Sequence, residues 1–104
     1  MMRRPSDFEK IFSQGSRYSS KTMTIWLKSN QDFDTMVGFS VSRKVGNSVK
    51  RNLIKRRLKE AVKTLLPDEG WTLFISVKPS IVNLTFKQIF FDIKKFLTIN
   101  GVLS

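Results

Sequence analysis

The amino-acid sequence predicts an α+β fold in which three helices pack against a mixed β-sheet. Apolar residues recur at helical spacing in three segments and alternate with polar residues in segments between them. In the middle of the chain a long helix lies between two strands, an arrangement that normally joins parallel neighbours of one sheet. The chain has 104 residues and is 40% hydrophobic, enough for one modest core. We therefore expect a single domain over residues 1–104.

The chain begins with a predicted helix and continues into a predicted strand. Ser6 and Glu9 form the S-x-x-E pattern of a capping box, and Gly15 supplies a stop after apolar residues at helical spacing. Over residues 18–28 apolar and polar side chains alternate, which is typical of a strand with one buried face. The other face of this strand carries Trp26 among polar residues.

The middle of the chain alternates between strands and a long helix. Residues 29–34 are polar and predict a connection, and residues 37–41 predict a second strand that forms a hairpin-like pair with the first. Residues 48–66 then predict a long helix, and residues 71–77 predict a strand that Pro79 ends. A passage of strand, helix and strand is ordinarily a right-handed crossover between parallel neighbours.

The last predicted element is an amphipathic helix. Thr85 and Gln88 form a second capping box, and Asn100 and Gly101 mark the end of the helix. Its apolar positions recur at i, i+3, i+4, i+7 and i+11 and are Phe86, Ile89, Phe90, Ile93 and Leu97. We expect four rings at apolar-periodic positions to lie in the core, namely Phe39, Phe86, Phe90 and Phe96.

The long helix has an apolar face and a basic face. The apolar stripe is expected to dock on the sheet and consists of Ile54, Leu58, Ala61, Val62 and Leu65. The opposite side carries the feature that we call the basic ridge, which consists of Asn52, Lys55, Arg56, Lys59 and Lys63. Between residues 40 and 63 there are nine Lys or Arg residues and one acid, so this segment holds +8 of the formal net charge of +11. Such a charge density favours an external polyanion, and phosphate backbones are the usual one.

The start of the long helix predicts a phosphate site. Asn47 or Ser48 can cap the helix, but Lys50 and Arg51 occupy its first turn, where the helix dipole favours acidic residues. A phosphate from a partner would relieve both charges, and Gly46 lets a backbone approach closely. The alternative interpretation is a solvated basic face without a partner.

Three aromatic residues form a second candidate site. Trp26 lies on a polar strand face, so its ring need not be buried, and Phe8 and Phe12 are one helical turn apart and could flank the same groove. Unpaired bases stack on such rings at about 1–3 kcal/mol each without sequence preference. The alternative is that the three rings fill the seam between helix and sheet.

The composition argues against a stand-alone enzyme. The chain has no histidine and no cysteine, so it lacks the side chain that titrates near neutral pH and the thiol nucleophile. Nothing among its eight acidic residues resembles a metal-binding cluster, and we expect neither a catalytic nor a metal-binding residue. No apolar run approaches the roughly 18 residues of a membrane span, and the first residues do not read as a secretory signal. We therefore expect a cytoplasmic protein without membrane contact.

One basic segment has the residue spacing of a known family. Residues 40–60 closely resemble the signature of the bacterial ribonuclease P protein subunit. They read SVSRKVGNSVKRNLIKRRLKE. In that family a strand ending in a basic pair leads through Gly-Asn into an Arg-Asn-Arg helix. The opening SDFEKIFSQG is similar to the family's first helix with its paired phenylalanines. One position departs, because Leu53 stands where the family usually has the second arginine of the motif, and the contacts of that arginine cannot be carried over.

The resemblance has implications for the fold and for the partners. It implies a mixed four-stranded sheet packed with three helices in the order α-β-β-β-α-β-α, with a left-handed strand-helix-strand crossover. It also implies that the chain joins ribonuclease P RNA and precursor tRNA to assist removal of the 5′ leader. The RNA with Mg²⁺ would do the chemistry, the protein alone would bind no cofactor, and no obligate protein partner is expected.

The resemblance assigns the two candidate sites to two RNAs. The catalytic RNA would be contacted by Arg43, Lys44, Asn47, Lys50, Arg51, Asn52, Lys55, Arg56 and Lys59. The single-stranded leader would lie against Phe8, Phe12 and Trp26. Two alternatives stay open: a basic ribosomal or other structural RNA-binding protein, which would not stimulate cleavage, and a metal-dependent nuclease, which would cut RNA without an RNA cofactor.

Overall fold

The three helices and four strands follow the predicted order. The structure is a computed structural model that describes residues 11–102, without the side chains of residues 31–33. Residues 11–14 are helical and are called α1, and Ser6, Phe8 and Glu9 lie outside the described residues. The other elements are β1 (Ser16–Ser19), β2 (Met23–Asp34), β3 (Met36–Val41), α2 (Ser48–Leu65), β4 (Glu69–Val77) and α3 (Phe86–Ile99), with short 3₁₀ helices at Arg43–Val45 and Pro79–Asn83.

The strands form one mixed sheet in the order β1-β2-β4-β3. β1 pairs with β2 and β2 pairs with β4, both antiparallel, whereas β3 pairs with β4 in parallel. The passage from β3 through α2 to β4 therefore joins parallel neighbours, as the sequence predicts. The left-handed sense of this crossover stays a prediction.

The predicted hairpin between residues 18–28 and 37–41 is wrong. Residues 18–28 themselves form a hairpin, because they contain the end of β1, a turn and the start of β2, and these two strands pair with each other. Residues 37–41 belong to β3, which pairs with β4 instead of β2. The chain crosses from one side of β4 to the other at Thr35, whose N–H donates to the carbonyl of Asp68 at 2.8 Å and whose hydroxyl donates to the carbonyl of Pro67 at 2.7 Å. These bonds carry the chain past the start of β4, so β2 and β3 lie on opposite sides of it.

The polar residues 29–34 belong to β2 and are not a connection. The pairing of β2 with β4 shifts between Ser29 and Asp34. The side-chain amide of Asn30 fills part of this irregularity, because it donates to the carbonyls of Asp34 at 2.9 Å and of Trp71 at 3.0 Å. The polarity of the segment marks a bulge, where side chains replace missing ladder bonds.

The hydrophobic core lies between one face of the sheet and the helices α2 and α3. The sheet contributes Met23, Ile25, Leu27, Leu73, Ile75 and Val77, and the predicted stripe of α2 contributes Ile54, Leu58, Ala61 and Val62, with Leu65 partly buried. α3 starts at the predicted capping box, in which the hydroxyl of Thr85 accepts from the N–H of Gln88 at 3.2 Å. It contributes Ile89, Ile93, Phe96 and Leu97.

The expectation that four rings lie in the core holds for one ring fully and for two in part. Phe96 is buried, and Phe39 and Phe90 are partly buried against the core. The prediction is wrong for Phe86, which is 38% exposed. Phe86 is the first residue of α3, and its side chain lines a groove beside α2 instead of facing the sheet.

A candidate nucleic-acid interface

The first turn of α2 is a capped but positively charged helix end. The Oδ1 atom of Asn47 accepts a hydrogen bond from the N–H of Lys50 at 3.0 Å, so of the two predicted candidates Asn47, and not Ser48, is the cap. The turn contains no acidic residue, and Lys50 and Arg51 lie at the positive end of the helix dipole. Free N–H groups, an exposed Lys50 and a partly buried Arg51 therefore meet at this turn, and helix N-termini of this kind favour phosphate.

Gly46 shapes the approach to this turn. Its φ of 154° is rare for residues with a side chain, and a Cβ atom there would lie 2.9 Å from Cδ of Lys50. Glycine therefore leaves room for the Lys50 side chain to pack over the turn. The group that lies close to Gly46 is therefore the Lys50 side chain of the protein itself. The close approach of a partner's backbone stays a prediction.

Arg51 is the one partly buried cation of the predicted RNA-binding set. Its Nη2 atom donates to the hydroxyl of Ser48 at 3.3 Å. Its Nε atom is buried and has no hydrogen-bond partner in the part of the chain that the structure describes. A buried donor without a partner is costly, so an acceptor from a bound molecule would stabilise this side chain.

The other eight predicted residues are all exposed. Two precede α2 in the 3₁₀ helix, one is its cap, and five lie along it: Arg43, Lys44, Asn47, Lys50, Asn52, Lys55, Arg56 and Lys59. The basic ridge faces away from the core, because Ile54 and Leu58 on the opposite side of α2 are buried. We call the exposed cations Arg43, Lys44, Lys50, Lys55, Arg56 and Lys59, with Arg51, the basic surface.

The outer face of the sheet carries three rings in mutual contact. Phe12 stands on edge against Trp26, with ring centroids 4.8 Å apart, and against Phe74 at 5.3 Å. Trp26 and Phe74 are paired across β2 and β4, with centroids 5.7 Å apart. Phe12 is 45% exposed, and the other two rings are half-buried. We call Phe12, Trp26 and Phe74 the aromatic cluster; both interpretations of Trp26 hold in part, since its ring packs against α1 and still reaches solvent.

The sequence interpretation missed two residues at this site. Phe74 alternates in β4 with Thr72 and Ser76, which is the same pattern that singled out Trp26, and it could have been found from that alternation. Arg17 lies opposite Trp26 in the β1–β2 pairing, and its guanidinium carbon is 5.9 Å from the Trp26 ring centroid. This distance permits a cation–π interaction, but it depends on a strand register that no local pattern reveals.

The aromatic cluster and the basic surface are connected through β3. Gly38 of β3 pairs with Phe74, and β3 ends at Val41, two residues before Arg43. β3 therefore links the two regions along the chain.

Two kinds of feature are absent from the part of the chain that the structure describes. Among the side chains that the structure describes, no three or more of Asp, Glu, His or Cys are placed to hold a metal ion. No helix within residues 11–102 is long and apolar enough to cross a membrane.

The fold and the two surfaces define a small, strongly basic α+β protein with a cationic helix on one face of the sheet and aromatic rings on the other. Comparison with known proteins gives a consistent result. Residues 1–100 match the family model described as Ribonuclease P. The chain belongs to the ribonuclease P protein family, which confirms the resemblance seen in the sequence.

Individual relatives support this assignment. The chain is 37% identical over 94 residues to a ribonuclease P protein component of Picosynechococcus, covering 88% of this chain and 81% of that one. It is 30% identical over 99 residues to the ribonuclease P protein component of Clostridioides difficile, covering 92% and 87%. Among solved structures, the Staphylococcus aureus RNase P protein superposes with a TM-score of 0.81 at 25% identity, covering 99% of this chain and 96% of that one.

Proposed function

We propose that this chain is the protein component of a ribonuclease P and that it binds the enzyme's catalytic RNA together with precursor tRNA. It assists the endonucleolytic cut that removes the 5′ leader and leaves the mature 5′ end of the tRNA. The chain contributes binding and positioning, and its site of action is the cytoplasm. Family membership supports this proposal, and the positively charged first turn of α2 is the observation that carries it.

The basic surface is proposed to contact the catalytic RNA. Five of its cations lie on α2 and two precede it, so together they concentrate positive charge that a phosphate backbone would neutralise. The unpartnered Nε atom of Arg51 and the free N–H groups of the first turn add donors that a phosphate oxygen would accept. Binding here depends on shape and charge and needs no base-specific contact.

The aromatic cluster is proposed to contact the leader. Three rings of mixed exposure offer stacking surfaces for unpaired bases, and Arg17 adds a cation for the backbone. Stacking tolerates any base, which suits leaders of different sequence. Phe8 belongs to this proposal from the sequence alone.

The proposed division of labour leaves the cleavage chemistry to the RNA. As the family resemblance implies, RNA-bound Mg²⁺ would supply the activated water. The protein's effect is therefore expected on affinity and on the Mg²⁺ requirement.

Reconstitution tests the proposal. Precursor tRNA, the ribonuclease P RNA from the same source and this protein are combined at low Mg²⁺, and release of the leader is measured. Cleavage is expected to require all three components. The protein alone should not cut, which separates the proposal from a metal-dependent nuclease, and binding without stimulation would indicate a structural RNA-binding protein instead.

A single substitution sharpens the same test. Arg51→Ala is expected to weaken binding to the catalytic RNA and to lower the slope of log affinity against log salt by about one unit, the effect of one lost phosphate contact. Lys87→Ala, which removes an exposed charge from α3, is the matched control. Equal slopes for the two variants would contradict the assignment of Arg51.

A further inference from the structure

A groove between α2 and the start of α3 shares only Arg56 with the proposed contacts. It has a volume of about 350 Å³, opens to solvent and is lined by Leu53, Arg56, Arg57, Glu60 and Phe86. This volume lies at the small end of the roughly 300–1,000 Å³ found for ligand sites. The groove is therefore large enough for one flat heterocycle.

The floor of the groove is apolar although it faces water. Leu53 and Phe86 are each 38% exposed, and most of the groove surface is carbon. The ring of Phe86 is placed by the start of α3, where Phe90 lies 6.1 Å away between ring centroids. An exposed ring beside an exposed leucine offers a face on which a planar group can stack.

The rim of the groove is charged and continues into the basic ridge. Arg56 belongs to both the ridge and the groove. Arg57 is held toward α3 by a hydrogen bond from its Nη1 atom to the carbonyl of Leu84 at 3.5 Å. Among the described side chains, none forms a hydrogen bond or ion pair with the Glu60 carboxylate, so its oxygens stay available as acceptors.

The charge around the groove identifies the occupant. A second copy of this chain would bring another formal charge of +11 to a cationic helix, and a lipid chain would gain nothing from a carboxylate at the rim. An RNA held along the ridge would instead place its phosphates beside Arg56 and its bases within reach of the apolar floor. RNA is read in this way when an unstacked base lies on aromatic and guanidinium planes.

We propose that this groove binds one unstacked guanine of the RNA that lies along the basic ridge. The base stacks on Phe86 and Leu53. Its adjacent N1–H and N2–H groups donate to the Glu60 carboxylate, and Arg56 or Arg57 donates to its O6 and N7 acceptors. Adenine would turn the acceptor N1 toward the carboxylate, so guanine is preferred. The inference rests on the proposed function, because RNA must occupy the ridge.

The test measures base preference and not overall affinity. Fluorescence anisotropy gives the affinity of the full-length protein for a uridine 12-mer RNA and for the same 12-mer with one central guanosine or adenosine. The wild type is expected to bind the guanosine 12-mer at least about fivefold more tightly than the all-uridine one. Glu60→Gln should abolish the advantage of guanosine over adenosine, and Phe86→Ala should abolish both purine advantages.

Phe91→Ala is the matched control, since Phe91 is a 66% exposed phenylalanine of α3 outside the groove. Circular dichroism of each variant checks that the fold is kept. The groove assignment would be overturned if the wild-type protein showed no preference for guanosine. It would also be overturned if the Glu60→Gln and Phe86→Ala variants kept that preference. Cleavage of precursor tRNA by the reconstituted enzyme is measured in parallel. If the protein stimulates cleavage but shows no guanosine preference, the groove proposal fails while the proposed function stands. If the protein does not stimulate cleavage, the proposed function itself fails.

Discussion

The basic surface and the aromatic cluster are assembled in different ways. The cations of the basic surface all fall between residues 43 and 59, on one 3₁₀ helix and one α-helix. The rings of the aromatic cluster come from α1, β2 and β4, and Phe12 and Phe74 are more than sixty residues apart in the chain. A surface built on one helix follows from local periodicity, whereas a cluster built on a sheet depends on which strands become neighbours.

The two regions also differ in the range of their forces. Charges act over about 8–10 Å in physiological salt and attract any phosphate backbone. Stacking requires contact between faces and responds little to salt. We therefore expect the basic surface to govern overall affinity and its salt dependence, and the aromatic cluster to govern the dependence on a single-stranded leader.

The largest expected effect comes from discharging the ridge. The triple variant Lys55→Ala, Arg56→Ala, Lys59→Ala should bind the catalytic RNA about 100-fold more weakly near physiological salt, because each phosphate contact there is worth roughly fivefold. Filter binding over a series of salt concentrations measures it. The control removes three exposed lysines of α3, Lys87, Lys94 and Lys95, and should change affinity less. Equal losses would mean that net charge alone, and not the ridge, binds the RNA.

The next largest effect distinguishes the role of the aromatic cluster from that of the basic ridge. Trp26→Ala and Phe74→Ala should each weaken binding of a precursor tRNA with a leader by about tenfold, since one stacking surface is worth about 1–3 kcal/mol. Binding of mature tRNA, which has no leader, should be unchanged. The measurement is the affinity of the reconstituted enzyme for the two tRNAs. If both fall equally, the rings support the fold and do not contact the leader.

A smaller effect tests how α1 is held on the sheet. A Cβ atom at Gly15 would lie 2.5 Å from the carbonyl oxygen of Ile11 and 2.9 Å from that of Leu27, so Gly15→Ala must displace backbone. We expect a loss of about 1–3 kcal/mol in the free energy of unfolding, measured by urea denaturation. Because Phe12 moves with α1, leader binding should fall while the salt slope for the catalytic RNA stays the same. An unchanged stability would contradict the close approach of α1 to β2.

The smallest effect should leave both regions intact. Thr85→Ala removes the cap of α3 and should cost about 1 kcal/mol, or roughly 4–8 °C in Tm. The cap touches neither the basic surface nor the aromatic cluster. RNA affinity below the melting transition should therefore match that of the wild type, and a change in leader binding would show that α3 supports the cluster.

Much of the helical structure could be predicted because its causes are local. The caps Asn47 and Thr85, the buried stripe from Ile54 to Val62 and the exposed ridge opposite it all follow from spacing within a few residues. The exposed phenylalanine at the start of α3 was mispredicted for the same reason. Periodicity places Phe86 on the apolar side of its helix, but whether a helix end still faces the sheet depends on how α3 packs against α2.

The sequence by itself determined the three helices, the apolar and basic faces of α2, and the capped, positively charged first turn of that helix. Only the tertiary structure decided that β4 lies between β2 and β3, which brings Phe74 beside Trp26, and that Arg17 lies over that ring. The physical reason is range. Helix formation and capping depend on neighbours within about four residues, whereas strand order depends on contacts between segments far apart in the chain.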